Sequence, residues 1–254
     1  MNWLLALPLP DWTPVTLVVA LIAFVMGGVV KGTLGVGLPL VVVPLLSLVL
    51  PTHFAIALMA VPVLSSNLWQ LLDSEAPREH IRRFSGLMVA LVVTTVITVP
   101  MTLALSARGL NMMLAIAVFT AVILMASTPK MSISSSQERW ASWLVGGLSG
   151  ILGGISSLTG PIIITYMMTL RLSRESFVGT MSVIYLAASF PLYLAMAWVG
   201  RFGWSEIILS VVALVPVFLG MALGKRIRYR LNEQWFRRIL LVFLSVIALV
   251  LLLK

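Results

Sequence analysis

Cysteine is absent and charged residues are scarce in this chain of 254 residues. Without cysteine the chain can form no disulfide, no thiolate metal site and no catalytic thiol. Only 10% of its residues are charged and 60% are hydrophobic, whereas roughly a quarter of a soluble domain is charged. A soluble domain could not bury that much apolar surface. The composition therefore excludes a water-soluble globular enzyme and predicts an integral membrane protein.

Acidic residues and catalytic motifs are scarce as well. The eight acidic residues all fall in or near predicted loops, and only two histidines are present. No HExxH motif, Walker loop or pair of aspartates at membrane depth appears, so equipment for hydrolysis or ATP coupling is missing. We expect no enzyme, no catalytic residue, no metal and no cofactor. The net charge of +9 indicates membrane topology and not a nucleic-acid partner.

Stretches without charge predict the membrane helices. A bilayer core needs about 20 apolar residues per helix. Six ordinary helices are expected in an all-α protein, at 54–72, 84–106, 110–127, 177–199, 204–224 and 235–253.

Two further apolar stretches, 14–50 and 141–170, are interrupted by glycines and a proline and are too short for two full spans each. The first reads Gly-Thr-Leu-Gly from Gly32 and continues to Pro39; the second reads Gly-Ile-Leu-Gly from Gly150 and continues to Pro161. Both stretches thus predict a broken helical hairpin, and three helices follow each one. We expect a first repeat over 1–127, a cytoplasmic linker over 128–140 and a second repeat over 141–254. Chance recurrence of glycine-rich helix packing is the alternative.

The basic residues test this topology. If each hairpin enters and leaves on one side, one face carries 13 lysines and arginines and the other carries 3. If each stretch crosses once, the bias disappears. The positive-inside rule favours the first arrangement, with both termini in the periplasm and the hairpins inserted from opposite sides. The sequence therefore predicts two repeats of inverted topology.

The two hairpin tips are expected to meet near the middle of the membrane. Broken helices there expose N–H groups and the positive end of the helix dipole, which bind anions. Lys31, the only formal charge between Trp12 and Leu72, would neutralise the anion, although it could instead extend towards a helix end. The glycines and hydroxyls of the tips would donate hydrogen bonds, unless they serve helix packing or bond to their own backbone. These tip residues are Gly32, Thr33, Gly35, Gly37, Gly153, Gly154, Ser156, Ser157, Thr159 and Gly160.

Two polar stripes on predicted helices complete the candidate site. Asn67 and Gln70 lie three residues apart, and Tyr185 and Ser189 lie four apart, so each pair shares one helix face. The pairs would line a pathway for the solute; bonds between helices are the alternative.

The glycine-rich run from Gly27 to Pro39 and its echo from Gly146 through Gly160-Pro161 resemble the twin signatures of the TauE/SafE family of sulfite exporter-like permeases. The ending, with Gly224-Lys225-Arg226 and Trp235-Phe236-Arg237-Arg238, is similar to that family's ending. The resemblance implies transport of sulfite, sulfoacetate or another sulfonate-like or organic anion across the bacterial inner membrane, usually outward.

We therefore expect a secondary transporter that exports a small anion by alternating access, one repeat rocking against the other. Its expected partners are the anion and the lipid bilayer, and oligomerisation is left open. An importer or channel-like uniporter is the alternative within transport. A membrane-embedded assembly subunit or enzyme is the alternative from another class.

Overall fold

The computed structural model describes residues 12–73, 78–126, 135–170, 172–228 and 233–254. Within these ranges the chain folds into thirteen α-helices and one short 3₁₀ turn, with no strand. The helices are α1 (Pro14–Leu34), α2 (Leu38–Ser47), α3 (Thr52–Ala57), α4 (Ala60–Leu72), α5 (Arg78–Arg83), α6 (Ser85–Met101, followed by the 3₁₀ turn Thr102–Ala104), α7 (Ala107–Ala126), α8 (Ser135–Ser156), α9 (Gly160–Thr169), α10 (Arg174–Trp198), α11 (Trp204–Val212), α12 (Leu214–Arg228) and α13 (Glu233–Leu253). The all-α prediction is confirmed.

Seven helical segments of the described chain are long and apolar enough to cross a membrane. Six of them were predicted from the sequence as ordinary helices. The seventh is α1, whose 21 helical residues come before the glycine break rather than around it. The protein is a multi-pass integral membrane protein.

Each hairpin joins a long arm to a short one. At 1.5 Å per residue α1 is about 31 Å long, enough for a bilayer core, whereas the ten residues of α2 cover only about 15 Å. The same contrast separates α8, with 22 residues, from α9, with ten. α8 begins at Ser135, upstream of the stretch expected from 141. Each short arm thus covers half of a bilayer core.

Two of the crossing segments are interrupted ahead of a proline. The α3–α4 break at Leu58 and Met59 precedes Pro62, and the α11–α12 break at Ala213 precedes Pro216. Proline has no N–H, so Pro62 leaves the carbonyl of Leu58 without its helical partner. The hydroxyl of Ser210 donates to that carbonyl at 2.9 Å and accepts from the Val61 amide at 2.9 Å. A buried serine of α11 therefore repairs the break in its neighbour, as a backbone at membrane depth requires.

Glycines set the packing of the two long arms. A Cβ on Gly28 or Gly32 of α1 would collide with the backbone of α12, at Val217 and Met221 respectively. A Cβ on Gly146 of α8 would likewise collide with the backbone of α6. The backbones therefore approach as closely as glycine allows. Each hairpin is packed against a helix from the other half of the sequence.

Side-chain links join helix ends at two opposite faces. At the basic face Arg83 pairs with Glu138, and Lys225 lies 3.9 Å from Asp73. At the opposite face Arg201 donates to the Thr102 hydroxyl at 3.1 Å, and Lys254 donates to the Ser47 carbonyl at 2.9 Å.

The two ends of the described chain lie on the side away from the basic face. The Trp12 ring meets that of Phe54 near the start of α3, and Lys254 reaches the end of α2. The assignment of this side to the periplasm stays a prediction.

Candidate substrate-binding cavity

A small cavity lies between the two hairpin tips. It offers about 30 Å³ to water-sized molecules, and roughly 10–15 Å³ of such space holds one water. Both breaks and the helices α4, α6 and α10 contribute to its wall. The lining residues are Lys31, Gly37, Leu38, Pro39, Leu40, Val63, Asn67, Thr95, Gly153, Ser157, Leu158, Thr159, Gly160, Pro161, Ile164, Tyr185, Ala188, Ser189 and Leu192.

Lys31 brings a positive charge to this cavity. It lies in the last turn of α1 and is only 2% exposed. Its Nζ donates to Oδ1 of Asn67 on α4 at 2.5 Å. Within the described residues no carboxylate forms an ion pair with Lys31. A buried ammonium that keeps a neutral amide as its partner is strongly disfavoured, so the cavity is electrostatically suited to an anion.

The first turns of α2 and α9 also line the cavity. Neither the residue before α2, Gly37, nor the residue before α9, Thr159, caps its helix with a side-chain hydrogen bond. Each helix has proline at its second position, Pro39 and Pro161, where the missing N–H costs nothing because helix starts leave amides unbonded. Two positive dipole ends therefore border the same space as Lys31.

Tyr185 on α10 presents a hydroxyl without a partner. The side chain is 9% exposed, and its hydroxyl oxygen makes no hydrogen bond to any residue that the structure describes. A Cβ on Gly160 would lie 2.6 Å from that oxygen, so the glycine leaves room for the hydroxyl at the start of α9. Ser189 lies one turn further along α10 and lines the same wall. A buried polar group of this kind is suited to a ligand oxygen.

The two tips have the same backbone plan, shifted by 122 positions. α1 and α8 end at Leu34 and Ser156, and the next residues, Gly35 and Ser157, have left-handed φ values of +82° and +62°. Their amides donate to the carbonyls of Lys31 and Gly153, both at 2.7 Å. The short arms begin at residues 38 and 160 and end at residues 47 and 169.

The same shift relates the side chains around the cavity. Lys31 corresponds to Gly153, and Asn67 corresponds to Ser189. Val63 corresponds to Tyr185 in the same way. Corresponding positions therefore face one space but carry different chemistry.

The structure brings nine of the fifteen predicted site residues to the cavity. They are Lys31, Gly37, Asn67, Gly153, Ser157, Thr159, Gly160, Tyr185 and Ser189. The other six predicted residues lie outside the cavity lining and make contacts within the protein. Gly32 packs on α12, and Gly154 packs against Thr98 of α6.

The remaining four use their polar groups within the protein. The Thr33 hydroxyl donates to the Val29 carbonyl at 2.7 Å, and that of Ser156 donates to the Leu152 carbonyl at 2.7 Å. The Gln70 amide donates to the carbonyl of Gly35 at 3.0 Å, which ties α4 to the first tip.

Thr95 is a polar lining residue that the sequence analysis missed. Its hydroxyl donates to the Gly150 carbonyl at 3.2 Å, so it joins α6 to α8 beside the cavity. Thr95 and Thr98 stand three residues apart in a stretch without charge, and this polar spacing was the available signal. The apolar lining residues Val63, Leu158 and Leu192 could not be predicted, because apolar residues are common throughout so hydrophobic a chain.

Broken helices that meet at a buried cavity are a common feature of membrane transporters. Residues 19–251 match the family model described as Sulfite exporter TauE/SafE. The chain therefore belongs to the TauE/SafE family, which is a family of membrane permeases, as its sequence motifs predicted. No curated protein and no solved structure matches the chain.

Proposed function

We propose that this protein is a secondary transporter that exports a small sulfur-containing or organic anion, bound in the cavity between the tips. Sulfite is the anion named in the description of the family, and sulfoacetate and other sulfonates are the related anions that the sequence resemblance implies. The observation that carries the proposal is Lys31, a buried cation whose side-chain partner among the described residues is the neutral amide of Asn67.

An anion would complete the charge balance of this site. The Lys31 ammonium, the starts of α2 and α9 and the free hydroxyl of Tyr185 all favour negative charge. One fixed cation can neutralise a monoanion. A dianion could also bind if the positive helix ends stabilise its second charge. Outward movement of a monoanion down a negative-inside potential gains about 2.3 kcal/mol per 100 mV, so export needs no proton relay.

Entry of such an anion requires the cavity to expand. Its present volume of about 30 Å³ holds roughly two or three waters. Because α1 is packed on α12 and α8 on α6 through glycines, we propose that each hairpin moves together with that partner helix. The rocking bodies would then mix the two sequence halves, in contrast to one repeat moving against the other.

A panel of anions tests the proposal directly. The purified protein is heated with sulfite, sulfoacetate, thiosulfate or simple carboxylates, and a bound anion raises the unfolding temperature. We expect the sulfur oxyanions to stabilise it most. Flux in proteoliposomes under an imposed potential then separates an exporter from an importer or channel-like uniporter. Absence of both stabilisation and flux would contradict the proposal and favour an assembly subunit or enzyme.

The proposal includes the bacterial inner membrane, with the basic face in the cytoplasm and the termini outside. The absence of cysteine allows single-cysteine labelling without background. In intact cells a membrane-impermeant maleimide should label Arg108→Cys and spare Arg82→Cys. The reverse pattern would overturn this orientation without affecting the anion site.

A further inference from the structure

A second cleft opens at the basic face, away from the cavity between the tips. It lies where the end of α5 and the start of α6 meet the start of α8, and its volume is about 620 Å³. Arg82, Arg83 and Arg139 line it together with Glu138. None of these residues belongs to the lining of the cavity proposed for transport.

Two of the three arginines leave their charge uncompensated. Arg83 forms a two-point ion pair with Glu138: its Nε donates to Oε1, and its Nη2 donates to Oε2 at 2.7 Å. This hydrogen bond raises the pKa of Arg83, and the pair neutralises itself. Arg82 and Arg139 are exposed and form no ion pair with any described residue. The cleft thus offers two guanidinium groups to an anion.

One wall of the cleft is aromatic and continues into an apolar surface. The indole of Trp143, half exposed, lies against Gly86, where a Cβ would come within 2.8 Å of the ring nitrogen. One turn deeper, Val89 of α6 lines the cleft, and Val93, Leu144 and Leu148 continue the exposed apolar surface. Tryptophan at such a border is typical of the headgroup level of a membrane.

We propose that this cleft binds the headgroup of an anionic phospholipid. The phosphate would accept hydrogen bonds from Arg82 and Arg139, because guanidinium groups match phosphate oxygens. The acyl chains would follow the apolar surface of α6 and α8, with Trp143 at the level of the glycerol. Basic pockets beside membrane helices bind anionic lipid headgroups in other membrane proteins. The aligned apolar surface favours a lipid over a free phosphate.

The test is a titration of the whole purified protein in detergent with phosphatidylglycerol and, separately, phosphatidylethanolamine of the same chains. Native mass spectrometry counts the bound lipid. We expect tight binding of phosphatidylglycerol only, and a loss of at least about 10-fold in the double variant Arg82→Gln/Arg139→Gln. The matched control, Arg226→Gln/Arg238→Gln, removes the same charge from exposed residues of the same face and should bind like wild type.

Two further arms separate the outcomes. Glycerol phosphate without acyl chains should bind far more weakly than the lipid; equal binding would overturn the lipid assignment. Trp143→Ala should weaken lipid binding while leaving the arginines in place. This variant provides an independent test if the double arginine variant does not fold. Equal loss in the control variant, or equal binding of both lipids, would also overturn the proposal.

Discussion

The two hairpins share a backbone and differ in what they bring to the cavity. Both have a left-handed residue after the long arm, a short arm of ten residues and a proline at its second position. The first hairpin carries Lys31 where the second carries Gly153, and the second carries Thr159 where the first carries Gly37. A common backbone thus supports a cationic tip and a hydroxyl-bearing one.

The comparison separates what the fold needs from what the ligand needs. Identical residues at corresponding positions pack the long arms against their neighbours, as Gly28 and Gly150 do. Several corresponding positions that differ face the cavity, as Lys31 and Gly153 do, and Gly37 and Thr159. We therefore expect substitutions at the first kind to reduce stability and substitutions at the second kind to reduce affinity.

The largest effect on affinity is expected at Lys31. Lys31→Met should weaken binding of the best anion of the panel about 10- to 100-fold, because a hydrogen bond to a charged group contributes about 1.5–3 kcal/mol. Thermal stability should not fall, since a buried charge is removed. Lys254→Met, at the opposite face, is the control and should keep wild-type affinity. Equal affinity in both variants would refute the role of Lys31.

The next effect concerns the glycines of the long arms. Gly32→Ala forces a Cβ into the backbone of Met221 and should reduce the free energy of unfolding by about 1–3 kcal/mol. Gly150→Ala should behave alike, because its Cβ would collide with the Thr94 hydroxyl and the Leu91 carbonyl. Gly147→Ala, whose Cβ would meet nothing nearer than 3.9 Å, is the control. The measurement is the free energy of unfolding of all three variants. An equal loss of stability in Gly147→Ala would contradict the packing argument.

Smaller effects are expected at two tyrosines of the second half: one substitution should change anion affinity and the other should change stability. Tyr185→Phe removes a hydroxyl without a protein partner, so we expect unchanged stability and about 2- to 10-fold weaker anion binding. Tyr166→Phe removes a hydroxyl bonded to Ser142 at 2.8 Å, so stability should fall by about 1 kcal/mol with affinity unchanged. Calorimetry with and without the anion separates the two patterns; the reverse assignment would exclude Tyr185 as a ligand.

The smallest effect tests the left-handed residues at the tips. Gly35→Ala should destabilise the protein by about 1 kcal/mol, because a side chain disfavours a φ of +82°. Ser157→Gly should stabilise it by a similar amount, since it relieves the same conformation in the second hairpin. Thermal unfolding of both variants should therefore shift in opposite directions. Shifts of the same sign would show that the tips are not held alike.

The sequence predicted much of this fold because charge spacing reports the membrane directly. The six predicted helices and the glycine breaks correspond to helices and tips that the structure contains. The interruptions before Pro62 and Pro216 were not predicted, because a proline inside an apolar stretch does not show where the helix breaks. It also does not show that a neighbouring side chain, Ser210, satisfies the carbonyl left free before Pro62.

The candidate site was only partly predictable for a related reason. The sequence does not show whether a glycine lines the cavity, as Gly160 does, or packs against a neighbouring backbone, as Gly32 does. Thr95 was missed because a threonine in a helix usually bonds to its own backbone. Lys31 was recognisable, since a charge within so long an apolar stretch needs a partner.

The most direct measurement is the anion affinity of Asn67→Asp. The new carboxylate would lie where Oδ1 of Asn67 now accepts from Lys31 at 2.5 Å, and it would neutralise the ammonium without removing it. Asn111→Asp, which adds a carboxylate at another buried amide, is the matched control. If Lys31 serves an anion, Asn67→Asp folds and loses at least about 10-fold in affinity, while the control does not. Wild-type affinity in Asn67→Asp would contradict the account.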